Sequence, residues 1–237
     1  MELRLLTRDP AALIYVLAFP VLTATLLGQV FGPGGPEFEG IAPPTYYAYA
    51  YVGVVAAAMA LVTLPGHLAT YRVTGVLLRF RASRFGAGGL GAAVVVVSAA
   101  TIVVASTALL ATTATLFGLP PIRSIFGLVA NFAAGTAAIV GLGVLLGQIT
   151  GSPRSAQGLG LALFFPSFLL GGAGPPMASM GAPLQRVSEF LPLSHMIRGM
   201  QEAALELPAD GWNHALVSCG FATVFWSIVV ATERRAT

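Results

Sequence analysis

Six stretches of this sequence continue without a charged side chain for more than 20 residues, and about 20 are enough for an α-helix to cross the hydrocarbon core of a bilayer. A chain in lipid must pair its own backbone groups, and only helices and closed barrels do so. Only 9% of the 237 residues are charged, compared with about 25% in soluble domains. Because so few charges cannot cover a water-facing surface of ordinary size, the sequence predicts an all-α membrane protein.

Apolar runs and the turn residues between them predict about six transmembrane helices in a single transmembrane domain, residues 1–237. The predicted spans are 11–31, 45–64, 87–110, 125–149, 158–172 and 212–231. We expect Pro65-Gly66 to end the second span and Pro166 to break the fifth, which is the shortest.

Two local patterns indicate how particular spans are used. Tyrosines at the start of the second span are typical of the headgroup level: Tyr46, Tyr47, Tyr49 and Tyr51. Glycines at four-residue spacing near the end of the fourth span would let another helix approach closely: Gly143, Gly147 and Gly151.

The distribution of arginine predicts the orientation in the membrane. Six spans place both termini on one side, and that side carries nine of the 12 basic residues: Arg4, Arg8, Arg72, Arg79, Arg81, Arg84, Arg154, Arg234 and Arg235. The other side carries Arg123, Arg186 and Arg198. We therefore expect a multi-pass protein of the cytoplasmic (inner) membrane with both termini in the cytoplasm.

Several kinds of chemistry are missing from the chain. It contains no lysine, so it has neither the phosphate-binding P-loop nor a Schiff-base site. No charged residue lies inside a predicted span, which argues against a proton-coupled transporter. The three histidines, His67, His195 and His214, show no metal-ligand spacing. We expect no catalytic, cofactor-binding or metal-binding residue in this chain, no enzyme activity of its own and no nucleic-acid partner.

Residues 70–84 have the period of a short amphipathic helix on the cytoplasmic side. Its apolar positions recur at i, i+3, i+4 and i+7: Val73, Val76, Leu77 and Phe80. Arg72 and Arg79 share a different face. Such a helix either lies on the membrane with its arginines among anionic headgroups or docks on a cytoplasmic partner.

Two further segments have helical character outside the spans. Residues 2–10 are short, charged and leucine-bearing, and are interpreted as an interfacial helix that leads into the first span. Residues 173–210 carry two weak apolar stripes, Leu184–Val187–Leu191 and Ile197–Met200–Ala204. With the short fifth span, these stripes indicate a helical hairpin that dips into the outer leaflet; an ordinary extracellular loop with helical content is the alternative.

Three stretches, taken in order, give the chain a resemblance to a known family. They are ELRLLTRDPAALIYVLAFPVL at residues 2–22, YRVTGVLLRFRASRF at 71–85 and LLGGAGPPMASMGAPLQRVSEFLPLSHMIRGMQ at 169–201. The chain resembles the ABC transporter permeases of the type-2 exporter class, which export drugs, antibiotics or polysaccharides. The stretches look like that family's interfacial helix with its first span, its coupling helix, and its broken fifth span with an outer re-entrant hairpin.

The resemblance implies a permease subunit that binds a separate ABC ATPase subunit, where ATP and Mg would be held. A second copy or a related permease would complete the membrane part, surrounded by membrane lipid. The residues that would contact the ATPase are Tyr71, Arg72, Val73, Val76, Leu77, Arg79, Phe80 and Arg81.

The resemblance also implies a cargo pathway along the spans at the dimer interface. Candidate lining residues, chosen as polar or aromatic positions within spans, are Met59, Asn131, Phe164, Phe165 and Phe168. Plain helix packing is the alternative role for each of them. The uncharged spans favour an amphiphilic or neutral cargo such as a drug, an antibiotic or a lipid-linked molecule, and hence efflux and drug resistance. A scaffold that transports nothing and a passive channel remain competing hypotheses.

Overall fold

The computed structural model describes residues 35–75, 86–205, 207 and 209–235, together with the separate positions 22, 26 and 30. The predicted interfacial helix, nearly all of the predicted first span, and the stretch 76–85 lie outside the described residues.

All regular structure in these described ranges is helical. The helices are α1 (Pro43–Ala57), a π-helix (Ala58–Thr63), α2 (Leu64–Val73), α3 (Gly86–Phe117), α4 (Ile125–Ile149), α5 (Pro153–Leu170), α6 (Ala182–Ser188), α7 (Pro192–Ala204) and α8 (Trp212–Arg235). Short 3-10 turns occur at Pro36–Phe38 and Met177–Ser179. The predicted all-α membrane class is confirmed.

Four helices of the described residues are long and apolar enough to span a membrane: Pro43–Val73, Gly91–Phe117, Ile125–Ile149 and Trp212–Arg234. The predicted fifth span corresponds to α5, which begins at Pro153 and is not among these four.

Serine caps determine where two of the helices begin. Ser124 accepts a hydrogen bond from the Gly127 backbone amide, and Ser152 forms a capping box with Ser155.

The prediction that Pro65-Gly66 ends the second span was wrong, because the helix continues to Val73. A proline inside an α-helix lacks an amide hydrogen, and its ring collides with the carbonyl four residues earlier, here that of Leu61. The chain widens to a π-helix just before Pro65, where the Leu64 amide bonds to the Met59 carbonyl five residues back. The wider turn lets the helix pass the proline.

The prediction that Pro166 breaks the fifth span was also wrong. α5 runs without interruption from Pro153 to Leu170 and ends at a turn in which Gly172 has a φ of 85°. Neighbouring helices make a proline tolerable at membrane depth, since they supply contacts that water would otherwise supply.

Glycines let α4 and α5 reach the backbone of the π-helix. A Cβ atom on Gly143 of α4 would overlap the Ala60 carbonyl oxygen, and one on Gly160 of α5 would overlap the Leu61 carbonyl oxygen. Gly147 is also closely packed, with Leu68 2.9 Å from where its Cβ would lie, whereas Gly151 faces open space. The glycine row therefore serves close approach at two of its three positions.

The four tyrosines predicted for the headgroup level are buried within the protein, and their level in the membrane stays a prediction. Tyr46 and Tyr47 pack edge-on against each other and against Phe38, and the Tyr47 hydroxyl donates to the Gly174 carbonyl at 3.1 Å. They are buried because α1 packs between α3 and α7. Aromatic side chains, which are also common at the membrane–water interface, therefore fill part of the core here.

α7 is a core helix rather than part of a surface loop, since nearly all of its residues are buried. Met196 packs against Gly135, which lies about 15 Å along α4 from its first residue. From there α7 runs back to the start of α4, where the Ser124 amide donates to the Ala203 carbonyl at 2.9 Å. This course, which enters the helix bundle and returns to the same end, is that of a re-entrant helix.

α3 packs against α1 along one buried face and exposes the other. Threonines occur on the exposed side, where Thr107 and Thr112 donate to the carbonyls of Val103 and Ala108 at 2.8 Å. Hydroxyl groups that bond four residues back in their own helix can face lipid, because they need no outside partner.

Adding one methyl group at Gly160 tests the contact between α5 and the π-helix. We expect Gly160→Ala to lower the free energy of unfolding by about 1–3 kcal/mol, because the methyl group overlaps a backbone carbonyl. Gly158→Ala, two residues away on the exposed face, should gain up to about 1 kcal/mol from helix propensity. Denaturant titration in detergent measures both, and equal stabilities would contradict the packing.

Candidate functional site

Three helix ends meet where the second span finishes. The Arg72 guanidinium, in the last turn of α2, donates from Nη1 to the Gln148 carbonyl at 2.6 Å and to the Thr150 carbonyl at 3.3 Å. The last carbonyls of a helix lack partners within the helix and carry the negative end of its dipole, so a cation is favourable there. Arg72 therefore fastens α2 to the end of α4, directly before α5 begins.

The structure describes three of the eight residues predicted to contact the ATPase. Tyr71 packs against the hydrophobic core, Arg72 makes the contacts just given, and the Val73 side chain is 61% exposed. All three belong to the last turn of α2, and a turn at Gly75, with a φ of 70°, follows the helix. Val76, Leu77, Arg79, Phe80 and Arg81 lie outside the described residues, so the contact surface stays a prediction.

The predicted pathway residues fall into two places. Phe164 and Phe168 of α5 stack with ring centroids 6.0 Å apart, and Phe168 meets Tyr51 of α1 edge-on at 6.3 Å. Phe165 meets Phe164 edge-on at 5.7 Å and is 56% exposed, in line with the exposed side chains of Leu161 and Leu169. These three side chains form an apolar stripe on an exposed part of α5.

Met59 and Asn131 lie elsewhere and are buried. Met59 belongs to the π-helix, and its carbonyl accepts the Leu64 amide. Asn131 is fully enclosed: its Nδ2 donates to the Gly127 carbonyl at 2.9 Å, and its Oδ1 lies so close to Gly199 that a Cβ there would overlap it. It lies where α4 crosses α7, and its Oδ1 has no hydrogen-bond partner among the described residues, so its role in the pathway stays a prediction.

A polar cluster at the other end of the helices was missed by the sequence analysis. Arg198 lies 3.3 Å from Glu202 and 3.9 Å from Glu39, and Glu202 lies 3.5 Å from the His214 ring. The two histidines His195 and His214 approach to 2.9 Å through their Nδ1 atoms. The signal in the sequence was the spacing of His195, Arg198 and Glu202 at i, i+3 and i+7, which puts them on one face of α7.

The electrostatics of this cluster favour a carboxylate beside a cation. Burial raises the pKa of Glu202, but His214 and Arg198 outweigh burial and leave that pKa below its ordinary value. Burial lowers the pKa of His195, with partial compensation from its bond to the Glu189 carbonyl. Glu202 is therefore ionised at neutral pH.

Two hollows adjoin the described residues. An open groove of about 720 Å³ runs along the last turns of α8, beside Trp226, Ser227 and Arg234, and contains none of the predicted pathway residues. A cleft of about 20 Å³ lies at the opposite end beside Tyr46, Arg198 and Glu202.

Within the described part of the chain, no group of three or more His, Cys, Asp or Glu side chains is placed to hold a metal ion.

Comparison with known proteins gave one informative match. A family model described as "ABC-2 type transporter" matches residues 1–205, which include every described helix except α8. No curated protein and no solved structure matched the chain.

Removing the Arg72 side chain tests its contact with α4. We expect Arg72→Ala to speed hydrogen exchange at the amides of residues 146–150, because the last carbonyls of α4 lose a charged donor that contributes about 1 kcal/mol at an exposed site. Arg154→Ala is the matched control, since Arg154 lies in the first turn of α5, where a cation gains nothing from the helix dipole. Unchanged exchange in Arg72→Ala would contradict the contact.

Proposed function

Because this chain belongs to the ABC-2 type transporter family, as a transmembrane permease component, we propose that it forms the cargo pathway of an ATP-driven exporter. The family match over residues 1–205 is the observation that carries the proposal. The partner is a separate ABC ATPase subunit that binds ATP and Mg. In agreement with this division of roles, the chain contains no lysine for a P-loop.

The proposed orientation places both termini in the cytoplasm. The end of α2, the start of α5 and the end of α8 carry Arg72, Arg154 and Arg234, and this arginine-bearing end would face the cytoplasm. The opposite end, with Glu39 and the turn before α4, would face outward. The ATPase would then dock on residues 71–84, which follow directly from α2.

Movement of the docked ATPase would reach the outer side through one continuous helix. Pro43–Val73 joins the cytoplasmic end to Tyr46 and Tyr47 near the outer end. The same helix carries Tyr51, whose ring touches Phe168 of α5. A push on the end of α2 would therefore shift α1 relative to α5 and rearrange the aromatic contacts between them.

The proposed cargo is amphiphilic or neutral, such as a drug, an antibiotic or a lipid-linked molecule. The exposed stripe of α5, formed by Leu161, Phe165 and Leu169, is apolar and uncharged. A charged cargo would lose its hydration along such a surface without gaining a partner. A second permease, either a copy or a relative, would face this chain across the pathway.

Phe165→Ala tests the assignment of the α5 stripe to the pathway. We expect it to weaken binding of lipophilic dyes to the purified complex by about tenfold, because an exposed aromatic surface is removed. Phe126→Ala is the matched control, since Phe126 is 84% exposed at the start of α4, away from the stripe. Dye binding that is equal in both variants, or a complex that binds only small hydrophilic ions, would contradict this cargo class.

Purification from the native membrane in mild detergent, followed by mass spectrometry with stoichiometry, tests the partnership. We expect about one soluble ATPase for each permease chain, since each permease of this kind binds its own ATPase subunit. Phe80→Asp should abolish this co-purification, because it places a charge in the apolar docking face. Phe190→Asp, an exposed phenylalanine after α6 at the outer end, should retain the ATPase.

Recovery of the permease alone, under conditions that preserve known complexes, would instead support the scaffold or passive-channel hypothesis. Loss of the ATPase in both aspartate variants would show a general defect in folding rather than a docking contact.

A further inference from the structure

The two histidines of the polar cluster have a definite partner at each ring nitrogen. His195 Nε2 lies 2.8 Å from the Glu189 carbonyl oxygen, and His195 Nδ1 lies 2.9 Å from His214 Nδ1. His214 Nε2 lies 3.5 Å from Glu202 Oε1. The three groups thus form a chain of contacts from the end of α6, through α7, to the first turn of α8.

The number of protons on the two histidine rings can be counted from their partners along this chain of contacts. A carbonyl oxygen only accepts, so His195 Nε2 must carry a hydrogen. Two Nδ1 atoms at 2.9 Å share one hydrogen, because two would collide and none would leave lone pairs facing each other. His214 Nε2 lies within salt-bridge distance of the ionised Glu202, and a hydrogen on this nitrogen would complete the chain of contacts. With that hydrogen, the four ring nitrogens hold three hydrogens, one more than two neutral rings carry.

We propose that His195, His214 and Glu202 form a one-proton site that fastens α7 to α8 at the outer end of the molecule. The inference does not rest on the proposed transport function, since it follows from the contacts of this chain alone. Its ligand is a single proton, held as one positive charge on the histidine pair beside one carboxylate.

The surroundings stabilise a single positive charge and oppose a second. The charged groups next to the pair are Glu189 in the turn after α6, which acts on His195, and Glu202 of α7, which contacts His214. Arg198 of α7 lies between Glu202 and Glu39 of the loop before α1, and Asp210 before α8 accepts from the Trp212 amide. Near the pair, α4 contributes the neutral Asn131, and Arg123 just before α4 instead donates to the Leu207 carbonyl. The Phe221 ring of α8 lies 6.0 Å from the His195 ring, a distance at which an aromatic face attracts a cation.

Removing a proton from this chain of contacts, or adding one to it, breaks one of its contacts. Without the shared proton, a neutral His214 can donate to His195 or to Glu202 but not to both. With a second proton, the two Nδ1–H groups point at each other, and the lowered pKa of the buried His195 opposes this state. Either change separates α7 from α8 at this contact.

The pH dependence of stability follows from the difference in bound protons. The unfolded pair binds two protons below the ordinary histidine pKa of 6.5 and none well above it. In the proposed state, the folded pair keeps one proton on both sides of this pH. Above this pH the folded state holds more protons, so stability falls as the pH rises; below it the unfolded state holds more, so stability falls as the pH drops.

Nitrogen NMR of the purified permease, with ¹⁵N-labelled histidine, tests the proton count directly. The chain has only three histidines, and His67→Gln removes the exposed one in α2, so that the remaining signals belong to the pair. At about pH 7 we expect one unprotonated ring nitrogen and three protonated ones. Two unprotonated nitrogens, which would mean two neutral rings, would overturn the proposal.

Thermal unfolding in detergent as a function of pH provides a second measurement. The unsubstituted protein and His67→Gln should both be most stable near pH 6.5 and lose stability on either side. In His195→Gln this maximum should disappear, because the remaining histidine no longer shares a proton. An unchanged maximum in His195→Gln would also overturn the proposal, and the NMR result stands even where that variant fails to fold.

Discussion

Pro65 lies within a helix surrounded by other helices and lipid, so the hydrogen bond that it cannot donate must be compensated inside the chain. The π-helical turn before it makes this possible, and it leaves the Ala60 and Leu61 carbonyls pressed against α4 and α5. Only glycine fits at the two contact points. The way in which α4 and α5 pack on the second span is therefore set by a single proline and the two glycines that accept its distortion.

The ends of that helix are tied to different neighbours. At one end Arg72 bonds to the last carbonyls of α4, and at the other the tyrosines of α1 pack against Phe38 and bond to the segment after α5. A helix held at both ends and widened in the middle can change its angle at the wide turn while its ends keep their partners. Under the proposed function, this arrangement would link the end that docks the ATPase to the opposite end of the molecule.

Features that depend on local sequence could be predicted, and those that depend on distant partners could not. α4 occupies the range predicted for the fourth span because Ser124 caps it and polar residues bound it, and the family resemblance is confirmed by the match over residues 1–205. The rule that proline ends a helix failed at Pro65 and Pro166, because it describes helices whose freed carbonyls turn to water. The pairing of His195 with His214 was invisible, since it joins two helices through a turn that no periodicity describes.

The threonines of α3 show how a peripheral helix can be independent of its surroundings. The outward-facing hydroxyls of Thr107 and Thr112 are already bonded to the backbone of their own turn, so these side chains need no hydrogen-bond partner from whatever touches this side of α3. Lipid chains and the apolar side of another subunit are equivalent neighbours for such a helix. This side of α3 can therefore exchange lipid for another subunit, or move along either of them, without breaking a hydrogen bond. Such a helix face allows movement between neighbours rather than fixing their positions.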